Sequence, residues 1–81
     1  MRIRVLAFAS VRELLGVSSC ELELPNGARA QDAWSALIER CPELIHHGAS
    51  TRLARNACIV SFDVPLADGD ELALLPPVGG G

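Results

Sequence analysis

A single stretch of helical periodicity, set among short stretches of alternating hydrophobicity, most constrains the fold of this chain. Apolar residues recur at helical spacing from Ala30 to Cys41, and Pro42 ends the pattern because proline cannot continue a helix. Trp34 is expected to anchor the buried face of this main helix. A lone amphipathic helix buries its apolar face against a sheet, so an α+β fold is predicted.

Short apolar segments, the first two with alternating polar residues, predict the strands of that sheet. The strands are predicted at residues 2–8, 20–24, 52–55, 58–62 and 71–75. The first strand is expected to become buried as it approaches Phe8. A capping-box pattern from Ser10 to Glu13 predicts an extra short helix after the first strand, ended by Gly16. A mixed sheet packed on one main helix in 81 residues fits the ubiquitin-like β-grasp.

Composition argues against several classes of function. The formal net charge is -3 and the seven basic residues, all arginine, are scattered, so no nucleic-acid surface is expected. No apolar run approaches the ~20 residues that cross a bilayer, so no membrane contact and a cytoplasmic location are expected.

Reactive side chains do not form a recognisable site in the sequence. Cys20, Cys41 and Cys58 are widely spaced, which predicts buried, reduced thiols and no zinc site. The adjacent pair His46 and His47 is expected to be exposed, because neighbouring helical side chains diverge by ~100° and do not share a metal. No catalytic pair or triad has convincing spacing, so we do not expect an enzyme, a bound cofactor or a bound metal.

The last six residues differ in composition from the rest of the chain. Prolines end the last strand because they cannot donate to a sheet, and the residues after them have almost no side chain to bury. We therefore expect a folded domain, 1–75, and a flexible, extended tail, 76–81, that reaches up to ~20 Å. Such a tail is suited to placing its terminal carboxylate inside another protein, and a frayed terminus is the alternative. The predicted tail comprises Pro76, Pro77, Val78, Gly79, Gly80 and Gly81.

Three parts of the sequence resemble a known family. They are Val5 to Gly16, Arg55–Asn56 with Asp63 to Leu72, and Leu74 to Gly81. With these segments the chain resembles the small, sulfur-carrying subunits of molybdopterin synthase, which are ubiquitin-like proteins of molybdenum-cofactor biosynthesis. The departures are Gly79 where Ser or Thr is common, Leu75 where an aromatic can occur, and Arg29 where a Thr usually caps the main helix. Arginine is a poor cap, so a weakened helix start is expected.

The resemblance implies that the terminal carboxylate of Gly81 carries the chemistry, with Gly80 beside it in the tail. In the family, an E1-like enzyme uses ATP to adenylate this carboxylate, which is then converted to a thiocarboxylate. The thiocarboxylate donates sulfur to cyclic pyranopterin monophosphate in the large synthase subunit, within a heterotetramer of two small and two large subunits. The small subunit is then a carrier and co-substrate, and the catalytic residues belong to the large subunit.

The resemblance also implies a partner-binding surface. Residue type alone would place its three apolar sheet positions in the core. The implied partner-binding residues are Phe8, Ile59, Leu75, Pro76, Pro77, Val78 and Gly79.

Three other functions are compatible with such a tail. A sulfur carrier for another pathway, such as thiamine synthesis, also ends in Gly-Gly, although the short helix after the first strand argues against it. A ubiquitin-like modifier would use the same tail to form isopeptide bonds with target lysines. A plain interaction module would keep its function after loss of Gly80 and Gly81.

Overall fold

Five strands form one mixed sheet in the computed structural model, which describes residues 1–75. The strands are β1 (Arg2–Ala7), β2 (Ser19–Glu23), β3 (Arg52–Arg55), β4 (Cys58–Val60) and β5 (Glu71–Leu75). The helices are α1 (Ala9–Leu15), α2 (Ala30–Arg40) and a 3-10 helix, η1 (Pro42–His47). The strand order is β2-β1-β5-β3-β4, with β1 and β5 parallel and the other neighbours antiparallel. The predicted element order is confirmed, with η1 in the segment after α2.

The core lies between α2 and one face of the sheet. Alternate residues of each strand point to this face, as the sequence pattern predicts. Trp34 is 7% exposed and is the anchor of α2, as predicted. The largest fully buried side chains of the core are Ile3, Val5, Val11, Leu37, Leu44, Leu53, Leu72 and Leu74.

The short helix α1 begins differently from the prediction. Its N-cap is Phe8, and no side chain caps it, so the predicted capping box at Ser10 is wrong. The carbonyl oxygen of Phe8 instead accepts from the backbone N–H of Arg12 at 3.3 Å, which places Ser10 inside the first turn. The end of the helix is confirmed, because Gly16 has a φ of 78° and donates to the carbonyl oxygen of Arg12 at 2.9 Å.

The strand predicted to reach Phe62 ends at Val60. Phe62 leaves the sheet, and its ring lies edge-on to Trp34 with the ring centroids 6.1 Å apart. Its carbonyl oxygen accepts from the backbone N–H of Gln31 at 2.7 Å, in the first turn of α2. Phe62 therefore supports the helix and does not pair in the sheet.

The backbone N–H groups at the start of α2 find hydrogen-bond acceptors without a cap from the Arg29 side chain. The backbone N–H of Arg29 donates to the Asp32 carboxylate at 2.7 Å, and the N–H of Ala30 donates to the carbonyl oxygen of Val64 at 2.9 Å. Together with the bond from Gln31 to Phe62, these contacts satisfy donors that a capping side chain would otherwise serve. The weak helix start expected from Arg29 is thus offset by the segment 62–64 beside it.

The cysteines and histidines are only partly as predicted. All three cysteines are free; Cys20 and Cys41 are half-buried, but Cys58, on the edge strand β4, is exposed, so its predicted burial is wrong. His46 is exposed, whereas His47 is half-buried. Among residues 1–75 no cluster of His, Cys, Asp and Glu could hold a metal ion. In the same residues, no helix has the length and apolar character that a membrane crossing requires.

Candidate functional site

An apolar row crosses four strands on the face of the sheet that points away from α2. In register, Leu6 of β1 lies beside Ala73 of β5, Ala73 beside Ala54 of β3, and Ala54 beside Ile59 of β4. Residues paired in register share a face, and alternate residues take opposite faces, so all four point away from the core. Ala54 is 6% exposed yet is not part of the core cluster, in agreement with its place in this row. We call this side of the sheet the outer face.

A second row lies next to the first, at the carboxyl end of β5. Phe8 and Leu75 directly follow Ala7 and Leu74, which are paired in register and buried in the core. Phe8 is extended, with a φ of -132° and a ψ of 155°, so it continues the alternation of β1 onto the outer face. Arg52 of β3 lies beside Leu75 and completes the row. The outer apolar patch is formed by Leu6, Phe8, Ala54, Ile59, Ala73 and Leu75.

The structure brings the three apolar sheet positions implied by the resemblance onto one surface. Phe8 is 43% exposed, Ile59 is 60% exposed and Leu75 is half-buried. Burial increases along β1 as far as Ala7, as expected, but Phe8 itself is exposed. The core location that residue type suggests for Phe8 and Ile59 is therefore wrong. The buried alternation of Ile3, Val5 and Ala7 already contained the correct signal, because the next position of that pattern faces outward. Partner binding by these residues stays a prediction.

Sequence reasoning missed the small residues of the outer apolar patch. Ala54 and Ala73 lie in register between the larger apolar residues Leu6 and Ile59. Their contribution depends on the register of β3 with β5 and β4, which no local pattern in the sequence specifies. Leu6 lies on the exposed side of β1 by alternation, and it proves to be half-buried among these neighbours.

Other exposed apolar side chains lie apart from the patch. Ile45 is 63% exposed in η1, which packs against α2. Val17 is 45% exposed in the connection between α1 and β2. Each provides a comparison residue of similar exposure outside the outer apolar patch.

Charged residues occupy the end of the outer face away from Leu75. Arg2 donates to the Glu23 carboxylate at 2.8 Å, and this contact raises the pKa of Arg2. Arg4 is paired in register with Glu21 on one side and Glu71 on the other. The charges at this end of the outer face are consequently balanced or net negative, whereas the end at Leu75 is apolar.

The residues predicted to form the tail lie outside the described residues. These are Pro76, Pro77, Val78, Gly79, Gly80 and Gly81. The structure does locate the point from which they continue. Leu75 ends β5, the central strand of the sheet, and lies between Phe8 and Arg52 in the second row of the outer face. The predicted tail therefore begins within the surface that the resemblance assigns to partner binding.

Comparison with known proteins matches the chain along nearly its whole length. The sequence profile of the ThiS family matches residues 5–81. The chain is 41% identical to the molybdopterin synthase sulfur carrier subunit of Escherichia coli K12, over 98% of this chain and 99% of that protein.

Solved structures share the architecture. The putative molybdopterin converting factor subunit 1 of Pyrococcus furiosus has a TM-score of 0.88 and 34% identity, over 96% of this chain and 99% of that one. Small archaeal modifier protein 1 of Haloferax volcanii has a TM-score of 0.87 and 27% identity, over 95% and 98% of the two chains. The predicted ubiquitin-like β-grasp fold is confirmed.

Proposed function

The chain belongs to the ThiS family and to its molybdopterin synthase sulfur carrier subunits, and on this premise we propose that it carries sulfur on the carboxyl terminus of Gly81. The observation that carries the proposal is the family match over residues 5–81, which includes the tail as well as the domain. The position of Leu75 supports it, because the tail begins beside exposed apolar side chains that are suited to docking.

The chemistry of a terminal carboxylate requires activation before sulfur can enter. A free α-carboxylate has a pKa near ~3.5, so at neutral pH it is an anion and a poor electrophile. Adenylation by an E1-like enzyme joins AMP to the carboxylate oxygen and releases pyrophosphate from ATP. Hydrosulfide then attacks the carbonyl carbon, a C–S bond forms, AMP leaves with the original oxygen, and the S–H proton is lost to solvent. The product is a thiocarboxylate, which is a sulfur nucleophile at the end of a tail.

The second half of the proposed reaction takes place in a partner. The thiocarboxylate of Gly81 enters the large synthase subunit and transfers its sulfur to cyclic pyranopterin monophosphate. Water then supplies the oxygen that replaces this sulfur on Gly81, so the carrier regains its carboxylate. A dithiolene has two sulfur atoms, so two loaded carriers are consumed per product. The proposed assembly of two small and two large subunits is compatible with this requirement.

The proposed docking surface and the start of the tail lie at the same end of the domain. The six residues after Leu75 span at most ~20 Å when extended. The acceptor site of any partner bound to the outer apolar patch must lie within that distance of Leu75. The absence of side chains at Gly79, Gly80 and Gly81 allows entry into a narrow channel.

One comparison favours a second candidate function. The likeness to small archaeal modifier protein 1, at 27% identity, favours a ubiquitin-like modifier. Both functions begin with the same adenylate and differ in the nucleophile, which is sulfur for a carrier and a lysine amine for a modifier. The 41% identity to a sulfur carrier subunit over nearly the full length favours the carrier, and it also argues against a carrier for thiamine synthesis.

Intact-mass spectrometry tests the proposal directly. The full chain is incubated with the E1-like enzyme of its own host, ATP and a sulfide donor. We expect a mass increase equal to the replacement of one oxygen by sulfur, located on the C-terminal peptide. Addition of the large subunit and cyclic pyranopterin monophosphate should return the mass to its starting value and produce the dithiolene.

A chain without Gly81 is the matched control. It should unfold at the same temperature as the native chain, because the deleted residue lies beyond the domain, and it should accept no sulfur. Failure of the native chain to gain sulfur would contradict the carrier function. Adducts with lysines of other proteins, in place of the thiocarboxylate, would support the modifier.

A further inference from the structure

An exposed arginine lies at the end of the outer face where the tail begins. Arg52 is paired in register with Leu75, the last residue of β5. Its backbone is held in the sheet by β5 on one side, whereas the pairing of β3 with β4 begins at the next residue, Leu53. The preceding Thr51 is buried, and its hydroxyl donates to the carbonyl oxygen of His47 at 2.7 Å. The position from which the Arg52 side chain projects is therefore well defined.

Most other arginines have partners within the domain, whereas the Arg52 side chain has none among residues 1–75. Arg4, although its side chain makes no hydrogen bond within those residues, lies in register between Glu21 and Glu71. Arg12 belongs to α1, outside the sheet. Four arginine side chains donate hydrogen bonds within those residues. Arg2 donates to the Glu23 carboxylate at 2.8 Å. The other three donate to backbone carbonyl oxygens, Arg29 to that of Asp63 at 3.3 Å, Arg40 to that of Glu21 at 3.4 Å and Arg55 to that of Pro65 at 2.7 Å.

The two ends of the outer face consequently differ in charge. At one end Arg4 is flanked by two carboxylates, and at the other Arg52 is next to the apolar side chain of Leu75. An apolar patch attracts a partner without strong directionality, because the hydrophobic effect depends mainly on buried area. A single uncompensated charge at one end gives such a patch a preferred orientation.

We propose that Arg52 binds a carboxylate of the large synthase subunit, close to the entrance of the channel that takes the tail. Guanidinium groups bind carboxylates with two parallel hydrogen bonds, which restricts rotation about the contact. The contact orients the domain so that residues 76–81 point into the channel and not across its surface. This inference rests on the proposed function, since it takes the large subunit as the partner.

Association kinetics with the large subunit test the inference. The full chain is compared with Arg52→Gln and Arg52→Glu at low and high salt. We expect Arg52→Glu to lower the association rate constant about tenfold at low salt and Arg52→Gln to have a smaller effect, with the difference shrinking as salt screens the charges. Arg4→Gln is the matched control, and it should change the rate less than about twofold because two carboxylates already surround that position. All variants should unfold at the temperature of the native chain.

A charge exchange identifies the partner group. Replacing the correct carboxylate beside the tail channel of the large subunit with lysine should restore binding of Arg52→Glu. Equal rates and equal salt dependence for the native chain and both Arg52 variants would overturn the inference. A defect confined to adenylation, with binding to the large subunit unchanged, would overturn it as well. These outcomes differ from failure of the proposed function, in which the native chain itself would gain no sulfur.

Discussion

Asn56 and Glu71 are joined by two hydrogen bonds at the start of the central strand. The backbone N–H of Asn56 donates to the carbonyl oxygen of Glu71 at 2.8 Å, and the backbone N–H of Glu71 donates to the side-chain Oδ1 of Asn56 at 2.9 Å. The side-chain amide of Asn56 also donates to the Asp70 carboxylate at 3.0 Å. Asn56 thus follows β3, begins the turn to β4 and holds the start of β5, which leads to the tail.

Replacement of Asn56 is expected to destabilise the domain. Asn56→Ala removes two side-chain hydrogen bonds and places alanine at a φ of 49°, a left-handed conformation that asparagine tolerates better. We expect a loss of about 2 kcal/mol in the free energy of unfolding, measured by urea titration. Asn56→Gly removes the same bonds without the backbone strain, so its loss should be smaller. An unchanged urea midpoint for Asn56→Ala would show that these bonds contribute little.

Ala57→Gly is expected to stabilise the domain. Ala57 has a φ of 72° and is exposed in the turn between β3 and β4. Asn-Gly is the preferred pair for a two-residue hairpin with two left-handed residues, so the change should add about 1 kcal/mol to the free energy of unfolding. Ala49→Gly, at an exposed position without a positive φ, is the control and should be neutral or slightly destabilising. Equal effects in thermal unfolding would contradict this explanation.

Ile59→Asp should weaken partner binding without unfolding the domain. Ile59 is 60% exposed in the outer apolar patch, and Ile45 is 63% exposed in η1. Ile59 lies at the β4 end of the patch, and a charged side chain there is expected to cost about 1.4 kcal/mol of binding free energy, so the dissociation constant for the large subunit should rise about tenfold. Ile45→Asp is the control and should bind as the native chain does. The docking surface would have to be sought elsewhere if calorimetry gave the same affinity for both variants.

Ser61→Ala should raise the pKa of Asp63. The Ser61 hydroxyl donates to the Asp63 carboxylate and is the main reason that the pKa of this carboxyl lies below its ordinary value, with smaller contributions from the Asp63 backbone and Arg29. A lowered pKa in the folded state stabilises the fold above the unfolded-state pKa, and this stabilisation disappears as the pH falls through the folded-state pKa. NMR titration of the carboxyl carbon should show the rise, and Arg29→Gln should produce a smaller one. A pKa unchanged in Ser61→Ala would assign the shift to the backbone contact.

Local patterns in the sequence are sufficient for the order of the elements and for the buried face of β1 and β2. The helical spacing of α2, the alternation of β1 and β2 and the left-handed glycine at Gly16 are all confirmed. These features depend on neighbours a few residues away, and such short-range preferences are visible in a linear sequence. The composition of residues 76–81 likewise predicts a tail without any information on pairing between strands.

Pairing between strands was decided only by the tertiary structure. Alternation indicates that Ile59 and Ala54 each occupy one face of a strand, but the register of β3 with β4 and β5 placed them side by side with Ala73. The same register placed Arg52 beside Leu75. The register between distant strands depends on which faces the whole sheet buries and on how the chain connects the strands. No single segment therefore contains enough information to predict it. A local pattern could therefore identify the tail, whereas only the assembled sheet joined the start of that tail to an exposed apolar patch and an exposed arginine.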